Sequence, residues 1–456
     1  MYASDTIAAI ATALGEGGIG IVRISGADAP VIMKKIFHSV KNGGFKSHRF
    51  YYGTIIDPAA ASVLDEVMAV CMLKPNSFTR EDVVEIHCHG GTLVVQRLLD
   101  LVLSCGARLA EPGEFTRRAF LNGRIDLLQA EAVIDIIRAK TDAAAALAQH
   151  QREGVLSSRL FSVRDVLRQA LALVEAYIDF PDEDLGQENI SLLAANVMHA
   201  RTFVRELIDG YSEGKVLRDG ISVVIAGKPN AGKSSLLNRL LAEKRAIVSA
   251  IPGTTRDLIE EVVNINGLPV RLLDTAGVCE SCDLVEQEGV SLALDRISKA
   301  DLVIFLLDSS RPFDNNDRIV ASAVARSNFM LVMNKSDLPS QLVRPEELSF
   351  LPCIELSTVS CDGMNKLKSE ITNCFLHGKV TDSREFVAVS RARHFDSLVR
   401  AERCLNNFLT GLDRLLVSEL LSLELREALS AIGEVTGETT PDDILDLVFS
   451  QFCVGK

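Results

Sequence analysis

The chain has 456 residues, 47% hydrophobic and 24% charged, with thirteen scattered prolines; this excludes a disordered or collagen-like polymer and predicts a globular protein of about three domains. A formal charge of −13 argues against unaided adhesion to nucleic acid, which needs a basic surface. The ten cysteines follow no framework, and the opening "MYASDTIAAIATALGEGGIG" has neither a basic start nor a continuous apolar core, so a reduced, cytoplasmic protein without signal peptide or membrane span is expected.

Residues 1–121 mix the β-rich runs "IGIVRIS", "VMAVCML" and "DVVEIHCHGG" with the helical pattern "GGTLVVQRLLDLVLSCG", which predicts an α+β domain. In residues 122–215, Leu156, Leu160, Val163, Leu167, Leu171, Val174 and Ile178 recur at spacings of three and four, the period of long amphipathic helices. The segment "PDEDLGQE" between them reads as a solvated turn. Residues 216–378 alternate helices with the apolar strands "ISVVIAG", "VRLLDTAG", "DLVIFLLDSS", "FMLVMNKSD" and "LPCIELS", the pattern of a parallel sheet buried on both faces. Residues 379–456 return to helix through "HFDSLVRAERCLNNFL" and "LLVSELLSLELREALSAIG". The expected fold is therefore multidomain α/β, with an N-terminal α+β domain and an α/β domain inserted into a discontinuous helical one.

Within the inserted segment, "GKPNAGKS" follows a strand and opens a helix, which is the context of a P-loop. Its glycines let backbone amides face a phosphate, Lys233 brings a point charge to the terminal phosphates, and Ser234 a hydroxyl to Mg²⁺. "NKSD" supplies Asn334, Lys335 and Asp337, and a carboxylate there accepts the N1 and N2 hydrogens of guanine, a donor pair that adenine lacks. "DTAG" ends another strand, with Asp274 toward Mg²⁺ and the Gly277 amide toward the γ-phosphate. "IPGTTRD" offers Thr254 and Thr255 to the metal shell when the third phosphate is present, as a switch does.

The candidate GTP contacts are Asn230, Ala231, Gly232, Lys233, Ser234 and Ser235 in the first motif, and Ser249, Ala250, Ile251, Pro252, Gly253, Thr254 and Thr255 in the second. Asp274, Thr275, Ala276 and Gly277 form the third, Asn334, Lys335, Ser336 and Asp337 the fourth, and Ser357, Thr358 and Val359 a fifth. Signalling GTPases place a water-orienting glutamine directly after "DTAG"; here the residue is Val278, whose side chain has no hydrogen-bonding atom, so another group must act. Glu286 and a bound cation are the candidates.

The whole chain resembles the MnmE (TrmE) family of tRNA-modifying GTPases. The likeness rests on "DTIAAIATALGEGGIGIVRISG", "NSFTREDVVEIHCHGG", "EPGEFTRRAFLNGRIDLLQAEAV", "IDFPDED", the nucleotide motifs and the terminal "FCVGK". The resemblance implies a potassium-activated GTPase that works with a flavoprotein partner, MnmG, on the wobble uridine (U34) of certain tRNAs, leaving an aminomethyl or carboxymethylaminomethyl group at C5. It also implies face-to-face pairing of G domains in a homodimer, K⁺ held by Asn230, Ser249, Ile251 and Thr254, Mg²⁺ by Ser234 and Thr255, and Glu286 as the residue that orients water. In the N-terminal domain it implies a folate-binding and dimerisation unit for a 5-formyl-tetrahydrofolate-type one-carbon carrier, with Arg23, Glu81 and Arg124 as contacts, and it marks Cys453 as a functional cysteine. Arg124 stands where relatives can have lysine, and Arg80 where glycine is common. For Cys453 the plain alternative is an ordinary thiol on a flexible tail.

Two other patterns have structural readings. His87 and His89 share one face of a strand without further clustered ligands, and Cys279 with Cys282 forms a lone Cys-x-x-Cys. A competing reading, a ribosome-assembly GTPase docking on rRNA, shares the nucleotide motifs but calls for a strongly basic appendage. Residues 379–456 carry 9 basic against 13 acidic residues.

Overall fold

The computed structural model describes residues 5–13, 15–39, 44–180, 186–242, 261–273, 295–376 and 388–456. The N-terminal unit is a seven-stranded sheet in the order β3-β4-β5-β6-β2-β1-β7. Its strands are β1 (Ile7–Ile10), β2 (Gly17–Ser25), β3 (Phe37–Ser39), β4 (Arg49–Asp57), β5 (Ser62–Met72), β6 (Val83–Gly90) and β7 (Arg108–Leu109). Alternation along β2 sends Val22 and Ile24 into the main core, which also holds Ile32 and Met33 from the helix Ala29–Ile36 and Leu98 and Val102 from Thr92–Ser104. The opposite face carries Arg23 and Ser25 toward a smaller cluster of Ile7, Ala9, Ala110 and Phe115.

The helical unit begins at a capping box: the Asp126 carboxylate accepts from the Gln129 amide, and the Gln129 side chain returns the bond to the Asp126 amide. Helices Val155–Asp179 and Gly186–Asp209 then share one core with Ala392–Asp413 and Ser418–Thr436. Leu160, Leu167, Val197 and Val204 from the first pair meet Leu398, Leu405, Phe408, Leu425 and Ile432 from the second. The helical domain is therefore discontinuous, as its periodicity predicts, and its two halves bury each other's apolar stripes.

Glu131 joins those halves. It is fully buried on the helix Leu127–Arg138, where the Arg393 Nη2 (3.2 Å) and the His394 ring (2.7 Å) reach it. Burial alone would raise its pKa, but His394, Arg393 and Arg391 outweigh that and hold it down at about 2, against a usual 4.5. A depressed carboxylate contributes stability above its unfolded pKa and loses it as pH falls toward the folded one. Glu131→Gln should therefore cost up to about 3 kcal/mol at neutral pH. Thermal unfolding across a pH series checks this: the gap between wild type and variant should close as pH drops below about 4.

Between the two helical halves lies a six-stranded sheet in the order β13-β12-β11-β8-β10-β9. The strands are β8 (Ile221–Ala226), β9 (Glu261–Ile265), β10 (Leu268–Leu273), β11 (Leu302–Asp308), β12 (Phe329–Asn334) and β13 (Cys353–Glu355). All pairs are parallel except β9 with β10. Every residue of β8 and β11 is buried, because one core covers each face of the sheet. The antiparallel β9 departs from the expected all-parallel sheet; a two-residue connection, Asn266 and Gly267 with φ of +50° and +92°, makes the hairpin.

The two crossings between bundle and inserted domain run side by side. A Cβ on Gly214, in the helix Tyr211–Asp219, would lie 2.4 Å from the Val389 carbonyl, so the backbones pass too closely for any side chain there. Tyr211 stacks on Phe395 with ring centroids 4.4 Å apart, and the Gln151 amide donates to the Ala388 carbonyl at 3.1 Å. Among the described residues no helix is long and apolar enough to cross a membrane.

Candidate functional site

β8 runs into the loop at residues 227–232 and then the helix Lys233–Ala242. A Cβ on Gly227 would sit 2.5 Å from the Leu306 carbonyl, and one on Gly232 (φ +99°) 2.2 Å from Asn334 Nδ2. The loop therefore lies flush against the ends of β11 and β12, which only glycine permits. Asn230 is also left-handed (φ +66°), and such turns gather successive amides toward one concavity. The Lys233 ammonium donates to the carbonyls of Gly227 (2.8 Å) and Lys228 (3.0 Å). Ser234 and Ser235 are exposed on the first helical turn, where free amides and the helix dipole favour a phosphate.

Asn334 is fully buried at the end of β12 and connects three segments. Its Nδ2 donates to the Ala231 carbonyl at 2.9 Å, and its Oδ1 accepts from the Thr358 amide at 3.3 Å. Ser336 N donates to the Leu356 carbonyl at 3.1 Å, and Ser357 Oγ donates to Asp337 Oδ1 at 2.5 Å. The Ser357 hydroxyl also accepts from the Val359 amide at 3.2 Å. Asp337 stays exposed with its second carboxylate oxygen available to a ligand. The first, fourth and fifth predicted motifs are thus hydrogen-bonded together at one end of the sheet.

Ser249, Ala250, Ile251, Pro252, Gly253, Thr254, Thr255, Asp274, Thr275, Ala276, Gly277, Val278, Cys279, Cys282 and Glu286 lie outside the described residues, as does "PDEDLGQE" through residue 185; its last three residues open the helix Gly186–Asp209 instead of continuing a turn. The described part of the metal set fits a hard cation. Ser234 and Asn230 are exposed beside the loop, and neither side chain is tied up in a hydrogen bond among the described residues.

One contact that motif spacing does not reveal is Asp308, buried at the end of β11, whose Oδ2 accepts from the Lys335 ammonium at 2.7 Å. Burial alone would raise its pKa; Lys335 and Ser310 outweigh that and keep the carboxyl below its usual range. The ion pair holds the left-handed Lys335 (φ +65°) over the site. An aspartate closing the otherwise apolar run "LVIFLLD" is the signal from which it was legible.

In the N-terminal unit, Arg23 pairs with Glu85 at 2.8 Å and lies over the Phe115 ring at 5.7 Å. Glu81 accepts from Ser25 Oγ (2.7 Å) and from Arg118 Nη1 (3.2 Å). Arg124 lies over Phe78 at 5.0 Å and borders a cavity of about 500 Å³ with His48, Asn76 and Arg80. Phe78 packs on the buried Ile7, Ala9 and Phe115 cluster, so Arg23 over Phe115 and Arg124 over Phe78 lie on one apolar unit. Burial, then Arg80 and Arg152, lowers the Arg124 pKa, and no carboxylate pairs with it among the described residues. An exposed cation without a carboxylate partner among the described residues suits an anionic ligand. Arg80 has φ of +58°, which is why glycine suits that position.

The tail docks here too. The Arg23 Nη1 donates to the Gly455 carbonyl at 3.2 Å, and the Gly113 amide to the Cys453 carbonyl at 3.4 Å. Gly455 has φ of +95°, and a Cβ would lie 2.2 Å from the Ile10 carbonyl, so the Gly of Cys-x-Gly-Lys has a steric cause. Phe452 is buried with Phe449 and Leu445, while Cys453 is exposed. This replaces the flexible-tail alternative with a seated one. His89 pairs with Asp65 at 2.7 Å, and His87 packs edge-on against Phe50.

Residues 127–453 match the family described as the MnmE helical domain, and residues 6–124 the GTP-binding protein TrmE N-terminus. The tRNA modification GTPase MnmE of Geobacter sulfurreducens is 60% identical over 456 residues, covering 100% of both chains. That of Geobacter metallireducens is 58% identical over 457 residues, again covering 100% of both. That of Natranaerobius thermophilus is 43% identical over 456 residues and covers 99% of each.

Proposed function

Because the chain belongs to the MnmE family of tRNA modification GTPases, we propose that it couples GTP hydrolysis to modification of the wobble uridine of certain tRNAs, as a cytoplasmic homodimer with a flavoprotein partner, MnmG. It is a GTPase, and its substrate is GTP. The reading takes 1–121 as the folate and dimerisation domain, 122–215 with 379–456 as the helical domain, and 216–378 as the G domain. The observation that carries it is the three-way junction at Asn334, which ties the phosphate loop to the base-reading segments.

In the reaction, water attacks the γ-phosphorus and GDP departs. Lys233 leaves its two carbonyl partners for the phosphate oxygens and offsets their growing charge. Asp337, aimed by Ser357, selects guanine, and Glu286 orients the attacking water. Mg²⁺ on Ser234 and Thr255, and K⁺ among Asn230, Ser249, Ile251 and Thr254, would supply the remaining positive charge around the phosphates. A 5-formyl-tetrahydrofolate-type carrier would lie by the partly buried Phe78, its carboxylates toward Arg124 and Arg23 and its donor edge toward Glu81, with Cys453 near the one-carbon group.

Glu286→Ala should leave GTP binding intact and lower turnover about a hundredfold in K⁺; turnover that survives assigns the water to another group. Replacing K⁺ with Na⁺ should abolish the activation. For the RNA step, nucleoside analysis of tRNA from a strain lacking the protein should show the wobble uridine unmodified. Unchanged uridines together with accumulating ribosome precursors would instead support the rRNA-docking reading.

A further inference from the structure

Lys228, the second residue of the phosphate loop, has a job that no motif assigns. Its side chain is buried, and its ammonium meets Asp317 Oδ2 at 2.7 Å and Asp314 Oδ2 at 3.0 Å, at the start of the helix Asn315–Val324. Asp317 is only 1% exposed, and its Oδ1 has no hydrogen-bond partner among the described residues. Asp314 is half exposed and also caps that helix through the amides of Asn316 and Asp317. The backbone carbonyl of the same Lys228 accepts the Lys233 ammonium at 3.0 Å. One residue thus separates the lysine that meets the triphosphate from two carboxylates.

We propose that Lys228 is a charge-masking positioning residue: it neutralises Asp317 and Asp314 so that a triphosphate can enter the cradle beside them. Its ammonium is committed to the two carboxylates and nearly sealed from solvent, so it does not itself bind phosphate. Without it, a buried carboxylate and a half-exposed one would stand uncompensated behind the phosphate loop, and for a separation of about 10 Å at an effective dielectric of about 20 a charge pair repels by enough for roughly a tenfold change in binding. The effect grows with ligand charge, so GTP suffers more than GDP.

The test uses the full chain with fluorescent GDP and a fluorescent, non-hydrolysable GTP analogue, each titrated against wild type, Lys228→Met, Lys228→Arg, Asp317→Asn and the double variant Lys228→Met/Asp317→Asn. Lys228→Met should weaken the GTP analogue about tenfold, GDP less, and the deficit should shrink as salt rises. Lys228→Arg keeps the charge and should bind nearly as wild type. The double variant should recover most of the lost affinity, since asparagine preserves the hydrogen bond from the Asp314 amide to residue 317 while removing the buried charge. Should Lys228→Met fail to fold, the double variant compared with Asp317→Asn alone decides: affinities within about threefold support masking. A double variant as weak as Lys228→Met, or ten times weaker than Asp317→Asn, makes Lys228 a mechanical tether and overturns the proposal. Equal losses for GTP and GDP overturn it as well.

Discussion

Lys233→Ala is expected to lower kcat/KM for GTP by about three orders of magnitude, close to 4 kcal/mol of transition-state stabilisation. The ammonium is already held at the mouth of the cradle by two backbone carbonyls, 2.8 and 3.0 Å away. It needs only a short swing to reach the β and γ oxygens, so little entropy is lost when it engages. The variant should still fold, because those carbonyls can accept from water when the side chain is gone. Steady-state kinetics in K⁺, with circular dichroism to verify folding, checks this. A loss below tenfold would place the main phosphate charge elsewhere.

Asp337→Asn should lower GTP affinity about a thousandfold, because two charge-assisted hydrogen bonds to guanine N1 and N2 are lost together. The same variant should gain affinity for xanthosine triphosphate, whose C2 carbonyl accepts from the new amide while its N1–H still donates to the amide oxygen. Ser357 donates to the Asp337 carboxylate at 2.5 Å and can donate equally to an amide oxygen, so the geometry for reading the base should survive the exchange. Competition between GTP and xanthosine triphosphate gives the answer directly. A loss of GTP without the gain would mean that Asp337 serves the loop and not the base.

Local chemistry made much of this legible. The P-loop spacing, the "NKSD" run and the strands of buried apolar residues each reflect a constraint confined to a few neighbouring positions. β1 and β4 escaped because "IAAI" is too short to show a period, and because β4 places Phe50 and Tyr52 on the exposed face of its sheet. The return of residues 392–436 to the first helical half was readable from periodicity, but the burial of Glu131 among Arg391, Arg393 and His394 was not, since the partners lie some 260 residues away. The tail is the same kind of case. Gly455 looks like any terminal glycine until the Ile10 carbonyl is found where its side chain would be. Arg80 shows the reverse: its residue type conceals a left-handed backbone that a glycine would have announced.

We infer that Asn334, Asp337 and Ser357 read guanine beside a loop that Lys233 and Ser234 make ready for a triphosphate. Initial rates of GTP and ATP hydrolysis by the purified full chain, in K⁺ and Mg²⁺, test it most directly. GTP should be preferred in kcat/KM by at least about a thousandfold. An ATP rate within tenfold of the GTP rate would mean that these residues do not select the base.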